Sequence, residues 1–587
     1  MVSLRSLTKP GLSLTAVCLA VAALCAPQAT AQTSAVASPT VIGPIASPDA
    51  PGAATRNYPW MTTQHVLKDV GYVEEEYFYQ GTASRFNTAA AGGATPTNAA
   101  LTDSGHVYKT RMLVRRPADP KKFNGTVLVE WQNVTAGYDI DAMWATQVAR
   151  ITRAGYAWVG IDAQRVGVQQ APNGLKLWSP TRYGSLDVTD GGKITDDALS
   201  YDIFAQGIQA IKHPMAVNPL GPLKAQRIIA IGASQSAAYM GTYINSLHAA
   251  LGGSIDGYFL QIGGARIRDD IPVPVFKQLS ETDVPGQVAA RQPDTAKYRQ
   301  WEIPGTSHAT RILSLNNTST NHRDGVFRSP TVCKYPINPR TPIEDSSGVI
   351  YDLMNTWIKD GALPPTAPKT DVEQQGETPG RNGAPARPNY VIKRDARGNS
   401  SGGGIRLADL VVPTAIQSRE NEGSQFCNLY GQYQPFPDEV INQLYPTHAG
   451  YVAAVRSVTA GNLKAGYLEA PEAARAIRRA EESYVGSGDP CKAACRAAQD
   501  LENSTLFYLV VTGQADQKSS QVNAIVRQIT RADGPRGKPS DRTAALKGLD
   551  GYISQITAMQ MAGTLSETSA KELVTAANDV KKAVSTP

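Results

Sequence analysis

The chain has 587 residues, 42% of them hydrophobic, so it has room for a large core and more than one domain, and disorder throughout is excluded. Its net charge of +6 is the small difference between 57 basic and 51 acidic side chains spread along the sequence. There is no Lys/Arg run and no interleaved aromatic platform, which argues against nucleic acid as a partner.

Arg5 and Lys9, the apolar stretch from Leu12 to Ala26 and Ala29-Thr30-Ala31 follow the three-part pattern of a secretory signal peptide over residues 1–31. The expectation is export to the periplasm or beyond, with a mature chain beginning near Gln32. Leu24 is too large for a lipoprotein cleavage site before Cys25, and no later apolar run is long enough for a transmembrane segment. Residues 32–56, rich in Ala, Pro, Ser and Thr, read as a flexible leader.

A main domain is expected over 57–487. Tyr72–Tyr79 and Val107–Val114 alternate as antiparallel, half-exposed strands do. From there the pattern changes to short apolar runs at Gly125–Trp131, Gly155–Ile161, Arg227–Ile231, Gly257–Ile262 and Val273–Leu279. Helical patterns such as Ala142–Arg153 and Tyr201–Lys212 separate most of them. That alternation predicts an α/β fold, a mostly parallel sheet with helices on both faces, whose sites lie just beyond the carboxyl ends of the strands.

The run at Arg227 ends in Gly232-Ala-Ser234-Gln-Ser236, followed by a small-residue helix pattern. This reads as a nucleophile elbow, a sharp strand-to-helix turn that holds a serine Oγ exposed. Ser236 stands where most such elbows carry glycine. A serine nucleophile needs a base for its proton and an acid to orient that base. Ser280-Glu-Thr-Asp283 follows the next strand but one, making Asp283 the favoured acid and Glu281 its alternative. Beyond the strand-like Tyr298–Ile303, the loop Pro304-Gly-Thr-Ser-His308 makes His308 the base. The oxyanion donors are expected at the Gln235 backbone N–H and, in the loop Trp131–Gly137, at the amides of Asn133 or Val134. No metal-ligand spacing accompanies these residues, and no cofactor is required by this chemistry.

These blocks, with Arg182-Tyr-Gly184, Tyr201-Asp-Ile-Phe204, Asp395–Asn399, Gly403–Arg406 and Tyr430-Gly431 before Pro435-Phe436, are similar to secreted bacterial α/β-hydrolase domain-containing proteins over roughly residues 60–480. The resemblance implies an α/β-hydrolase fold, with Ser234, Asp283 and His308 as nucleophile, acid and base. It implies no substrate. Residues 309–345 and 370–436 read as inserts, the former a candidate cap over the pocket.

Four cysteines remain after the signal, Cys333, Cys427, Cys491 and Cys495, and three pairings are formally open. The closeness of Cys491 to Cys495 favours that pair together with Cys333–Cys427. Residues 488–587 carry helix-period patterns at Ala494–Ile529 and Thr543–Val584, broken at Gly534–Asp541 and Gly563–Ser566, and predict a small helical appendage. The functional expectation is an exported serine esterase acting on a small or polymeric ester. The alternatives are a binding or adhesive protein on a hydrolase scaffold, an acyltransferase or a polyester depolymerase.

Overall fold

The computed structural model describes residues 36–88, 98–326, 331–379, 385–424 and 426–586. The signal-peptide reading therefore lies outside the described residues. Among them, one nine-stranded sheet forms the centre, built from β1 (Thr40–Ile42), β2 (Tyr72–Phe86), β3 (Leu101–Pro117), β4 (Thr126–Trp131), β5 (Ala157–Ile161), β6 (Arg227–Ala233), β7 (Gly257–Gln261), β8 (Val275–Ser280) and β9 (Tyr298–Ile303). Its order is β1-β2-β3-β5-β4-β6-β7-β8-β9. β1, β2, β3 and β5 pair antiparallel, and from β5 through β4 to β9 every pairing is parallel. This is the mostly parallel α/β sheet that the alternation of strand and helix patterns predicts, in the α/β-hydrolase architecture that the resemblance implies.

β4, β5, β7, β8 and β9 are buried along their whole length because helices cover both faces of the sheet, which is why they read as unbroken apolar runs. The covering helices include α1 (Ala142–Ala154), α2 (Ser200–Lys212), α3 (Gln235–Thr242) and α5 (Ile343–Asp360), whereas α4 (Arg311–Asp324) packs on the outside of α1. Glu130, at the end of β4, accepts from the Met143 and Trp144 amides at 2.9 and 3.2 Å and from the Trp158 indole at 2.8 Å. A buried carboxyl thus supplies the acceptor that the first turn of α1 lacks. Burial pushes this carboxyl up to about 8 against those hydrogen bonds.

Two expectations need correction. The alternation in β3 predicts a half-exposed strand, yet from Thr110 to Val114 it is buried. The cause is the segment before β2, which folds over it: Arg111 donates to the Trp60 carbonyl at 3.0 Å and Arg115 to the Met61 carbonyl at 2.6 Å, while from β2 itself Glu76 accepts from Arg111 at 2.8 Å and Glu74 from Arg115 at 2.6 Å. Such ion pairing makes buried arginines tolerable, and Arg115 also lies 4.7 and 4.6 Å from the Trp144 and Trp158 ring centres. Secondly, the supposedly flexible leader contains β1, whose register runs Thr40 opposite Gln80 to Ile42 opposite Phe78. An edge strand of three residues has too little periodicity to be read from sequence.

The 370–436 insert forms two small ribbons, Val372–Thr378 with Arg387–Ile392 and Ala415–Ser418 with Gln432–Pro435, whereas the 309–345 insert begins with α4. Disulfides join Cys333 to Cys427 and Cys491 to Cys495. After α6 (His448–Lys464) and α7 (Ala470–Glu481), the chain ends in α8 (Ala493–Tyr508), α9 (Ala515–Asp533), α10 (Pro539–Met561) and α11 (Glu567–Ser585). These last four pack in a closed ring around their own apolar core, with Leu501, Val522, Leu549, Tyr552 and Leu573 at its centre. Each of the two long sequence patterns is therefore a helical hairpin. Among the described residues no helix is long and apolar enough to cross a membrane.

Candidate active site

β6 delivers Ser234 to the carboxyl edge of the sheet, and the turn into α3 gives it φ 60° and ψ −118°, a strained region for a residue with a side chain. The surroundings hold it there. Its N–H donates to the Gln261 carbonyl of β7 at 2.9 Å. Gly263 passes so close that a Cβ there would meet the Ser234 carbonyl oxygen at 2.7 Å, and a Cβ on Gly232 would meet the Ser236 carbonyl group at 3.1 Å. Ser236, where most elbows carry glycine, has a task of its own. Its Oγ accepts from the Ala233 N–H at 3.0 Å and donates to the Ala233 carbonyl at 2.7 Å, closing the end of β6 against the first turn of α3.

Loops after β8 and β9 bring Asp283 and His308 to the same edge. His308 Nε2 lies 2.7 Å from Ser234 Oγ, and Nδ1 lies 2.7 Å from Asp283 Oδ1. With Nδ1–H donating to the carboxylate, Nε2 is left to accept from the hydroxyl. The other oxygen of Asp283 accepts from Ser280 Oγ at 2.6 Å. Burial works to raise the Asp283 carboxyl, but the neighbouring imidazole and the hydrogen bonds from His308 and Ser280 outweigh it and hold it below the usual carboxylate range. A carboxylate that remains ionised, an imidazole and a hydroxyl in one line can move the hydroxyl proton as its oxygen attacks an electrophile.

Glu281, weighed as an alternative acid, is directed away from His308. It is fully buried, with Oε2 accepting from the Gly305 N–H at 2.6 Å and Oε1 accepting from the Arg419 N–H at 3.0 Å beside the Arg394 guanidinium at 2.8 Å. It ties the histidine loop to the 370–436 insert. Thr282 adds a second tie, its Oγ1 accepting from the His308 N–H at 3.2 Å. Both flank Asp283 in sequence, yet a short polar turn gives no periodicity from which these partners could be read.

Of the expected oxyanion donors, the Gln235 N–H belongs to the first residue of α3, where an amide has no partner within its helix. In the loop after β4, the Asn133 N–H donates to the Ile140 carbonyl at 3.2 Å and is thereby engaged. This corrects its reading as a free donor: the loop closes on itself through a two-way Asn133–Ile140 pairing. Val134 N–H has only a long 3.5 Å contact, to the side-chain Oε1 of Gln235. The Asn133 side chain fixes that peptide by donating to the Ala233 carbonyl at 3.0 Å and accepting from the Thr135 N–H at 2.9 Å. Among the described residues no group of three or more His, Cys, Asp or Glu side chains is arranged to hold a metal ion.

A family model described as an alpha/beta hydrolase domain matches residues 41–478. Among solved structures, the chain resembles esterase Est22 at 13% identity and a TM-score of 0.26, over 45% of this chain and 83% of that one. It also resembles a putative acetyl xylan esterase from Bacteroides fragilis at 12% identity and a TM-score of 0.21, over 35% of this chain and 59% of that one. A serine hydrolase without a lid from Xanthomonas campestris matches at 14% identity and a TM-score of 0.22, over 43% of this chain and 97% of that one. No curated protein matches the chain. The family model spans the sheet and all three side chains of the hydrogen-bonded line, and the chain belongs to the alpha/beta hydrolase domain family.

Proposed function

We propose that the protein is a serine hydrolase that cleaves carboxylic esters through an acyl-enzyme. The observation that carries this reading is the line Ser234–His308–Asp283, with both contacts at 2.7 Å at the carboxyl edge of a parallel sheet. Ser234 Oγ attacks the ester carbonyl carbon as His308 Nε2 takes its proton. The resulting oxyanion is held by the Gln235 and Val134 amides. Collapse of the tetrahedral intermediate breaks the bond to the alcohol, which leaves with the proton from His308. Water, deprotonated by the same imidazole, then releases the acid and restores Ser234. Asp283 fixes the imidazole tautomer and supports its charge while it is protonated. No step calls on a metal or an organic cofactor. We also infer export, a reading supported by the signal-like N-terminus and by two disulfides, which persist in oxidising compartments.

Hydrolysis of p-nitrophenyl esters from acetyl to palmitoyl, compared with Ser234→Ala, tests the reading. Turnover is expected to fall in the variant by a factor on the order of 10⁶, the size of loss known for removal of a triad serine. A wild-type protein that turns over no ester and resists a fluorophosphonate would overturn it in favour of a binding role on a hydrolase scaffold.

A further inference from the structure

Beside Ser234, a chain of side-chain amides leads away from the oxyanion site, and the donor and acceptor rules fix its direction. Asp197 accepts from three donors: Oδ1 from the Arg165 N–H at 2.8 Å, and Oδ2 from Gln164 Nε2 at 2.9 Å and the Tyr239 hydroxyl at 3.0 Å. A carboxylate only accepts, so Gln164 presents its NH₂ to Asp197 and its Oε1 to the other side. The indole N–H of Trp131, which only donates, requires the same orientation, lying 3.0 Å from that Oε1. Gln164 Oε1 also accepts from Gln235 Nε2 at 3.0 Å. Gln164 and Trp131 are almost completely buried, at 1% and 0% exposure, which leaves the arrangement little room to invert. Gln235 must therefore turn its remaining atom, the acceptor Oε1, toward the Val134 N–H.

We propose that the Gln235 side chain is the resting occupant of the oxyanion site and a brake on the reaction, locked in this polarity by Asp197 and Trp131 through Gln164. The inference rests on the esterase reading above and adds to it a group whose displacement limits formation of the tetrahedral state. Two observations support displacement over a supporting role. The contact is 3.5 Å long, far from the ~2.9 Å of a firm N–H···O bond. The Val134 peptide is also aligned without it, through the Asn133 side chain and the Asn133–Ile140 pairing. An amide oxygen lodged beside a developing oxyanion has the wrong sign of partial charge, so it must withdraw before the Val134 N–H serves the substrate.

The test is the rate of covalent labelling by a fluorophosphonate. In that reaction Ser234 Oγ bonds to phosphorus, fluoride leaves, the serine proton passes to His308, and the phosphoryl oxygen occupies the oxyanion site. Gln235→Met removes the competing acceptor while keeping the backbone N–H of residue 235, and labelling and kcat/KM are expected to rise by up to about tenfold, the ceiling set by one neutral hydrogen bond. Gln235→Glu puts a permanent acceptor there, and both rates are expected to fall at least tenfold. Gln235→Ala serves as the small alternative if the methionine variant unfolds before the wild type. Opposite signs for Met and Glu are what a merely structural role would not produce. Equal or slower labelling of both Met and Ala variants, at unchanged melting temperature, would overturn the brake while leaving the esterase reading intact. A wild-type protein that is not labelled at all would instead remove that reading.

Discussion

At the scale of single residues, the two acidic side chains of Ser280-Glu-Thr-Asp283 have been given separate tasks by one turn of chain. Asp283 reaches His308, while Glu281 turns under the histidine loop to Gly305, Arg394 and Arg419. Substitution should separate them. Asp283→Asn leaves the shape but offers the imidazole the wrong hydrogen-bond partner, and kcat on p-nitrophenyl acetate is expected to drop on the order of 10⁴-fold with little change in melting temperature. Glu281→Gln keeps one acceptor, loses the charge facing Arg394, and is expected to cost about 1–3 kcal/mol of stability in urea unfolding with less than about a tenfold loss of kcat. A Glu281 variant as inactive as the Asp283 variant would reverse the two assignments. From sequence alone, both carboxylates stood at the right strand end. What separated them was the direction of each side chain out of a tight turn, which depends on where Gly305 and Arg394 arrive from distant parts of the chain.

Among the elements, legibility followed periodicity. The parallel strands β4 to β9 are short, apolar and bounded by turns, so each left a signature, and Ser234, Asp283 and His308 could be sought at their ends. β3 was found but its burial was not, because the cover comes from residues 58–64, a segment with no period of its own. The amide chain from Asp197 to Val134 left no sequence signal at all: Trp131, Val134, Gln164, Asp197 and Gln235 come from four separate stretches that only the fold brings together. The disulfides illustrate how unequal two similar elements are. Cys333–Cys427 spans 94 residues and ties the segment after α4 to the second ribbon of the insert, whereas Cys491–Cys495 spans 4 at the start of α8. By loop-closure entropy the long link is worth about 5 kcal/mol and the short one about 2 kcal/mol. Paired serine variants measured by denaturant unfolding should show the larger loss for Cys333/Cys427, and equal losses would mean that native-state contacts, and not loop closure, set the contribution.

For the molecule as a whole, the question is how the C-terminal bundle stays on the sheet-bearing body. Asp500 of α8 receives Arg311 of α4 at 3.1 Å and Arg340 at 2.7 Å, and Ile312 and Leu315 of α4 pack against the bundle core. Close by, His65 of the segment before β2 meets Phe507 of α8 edge to face at 5.4 Å and is only 6% exposed. Burial first, and the Arg115 charge second, lower this imidazole to about 3, so it stays neutral in the folded protein wherever the unfolded chain, near 6.5, would protonate it. Between pH 6.5 and 3 the unfolded state thus binds the extra proton, and the His65 contribution is complete above pH 6.5 and declines as pH falls, by at most about 1.4 kcal/mol per unit. Other groups titrate in the same range: His248, lowered to about 4 mainly by burial, acts in the same direction, while the raised carboxyls of Glu130, Asp162 and Asp345 act in the opposite one. The bare pH profile of the wild type therefore does not isolate the interface, but its difference from His65→Phe does. That variant keeps an aromatic ring against Phe507 and carries no proton, so its unfolding free energy relative to the wild type should rise steadily as pH is lowered from 6.5 to 4.5. A difference that stays flat over this interval would mean that His65 gains solvent or a counter-charge in the folded state, and that the bundle is held without a pH-sensitive contact at this point.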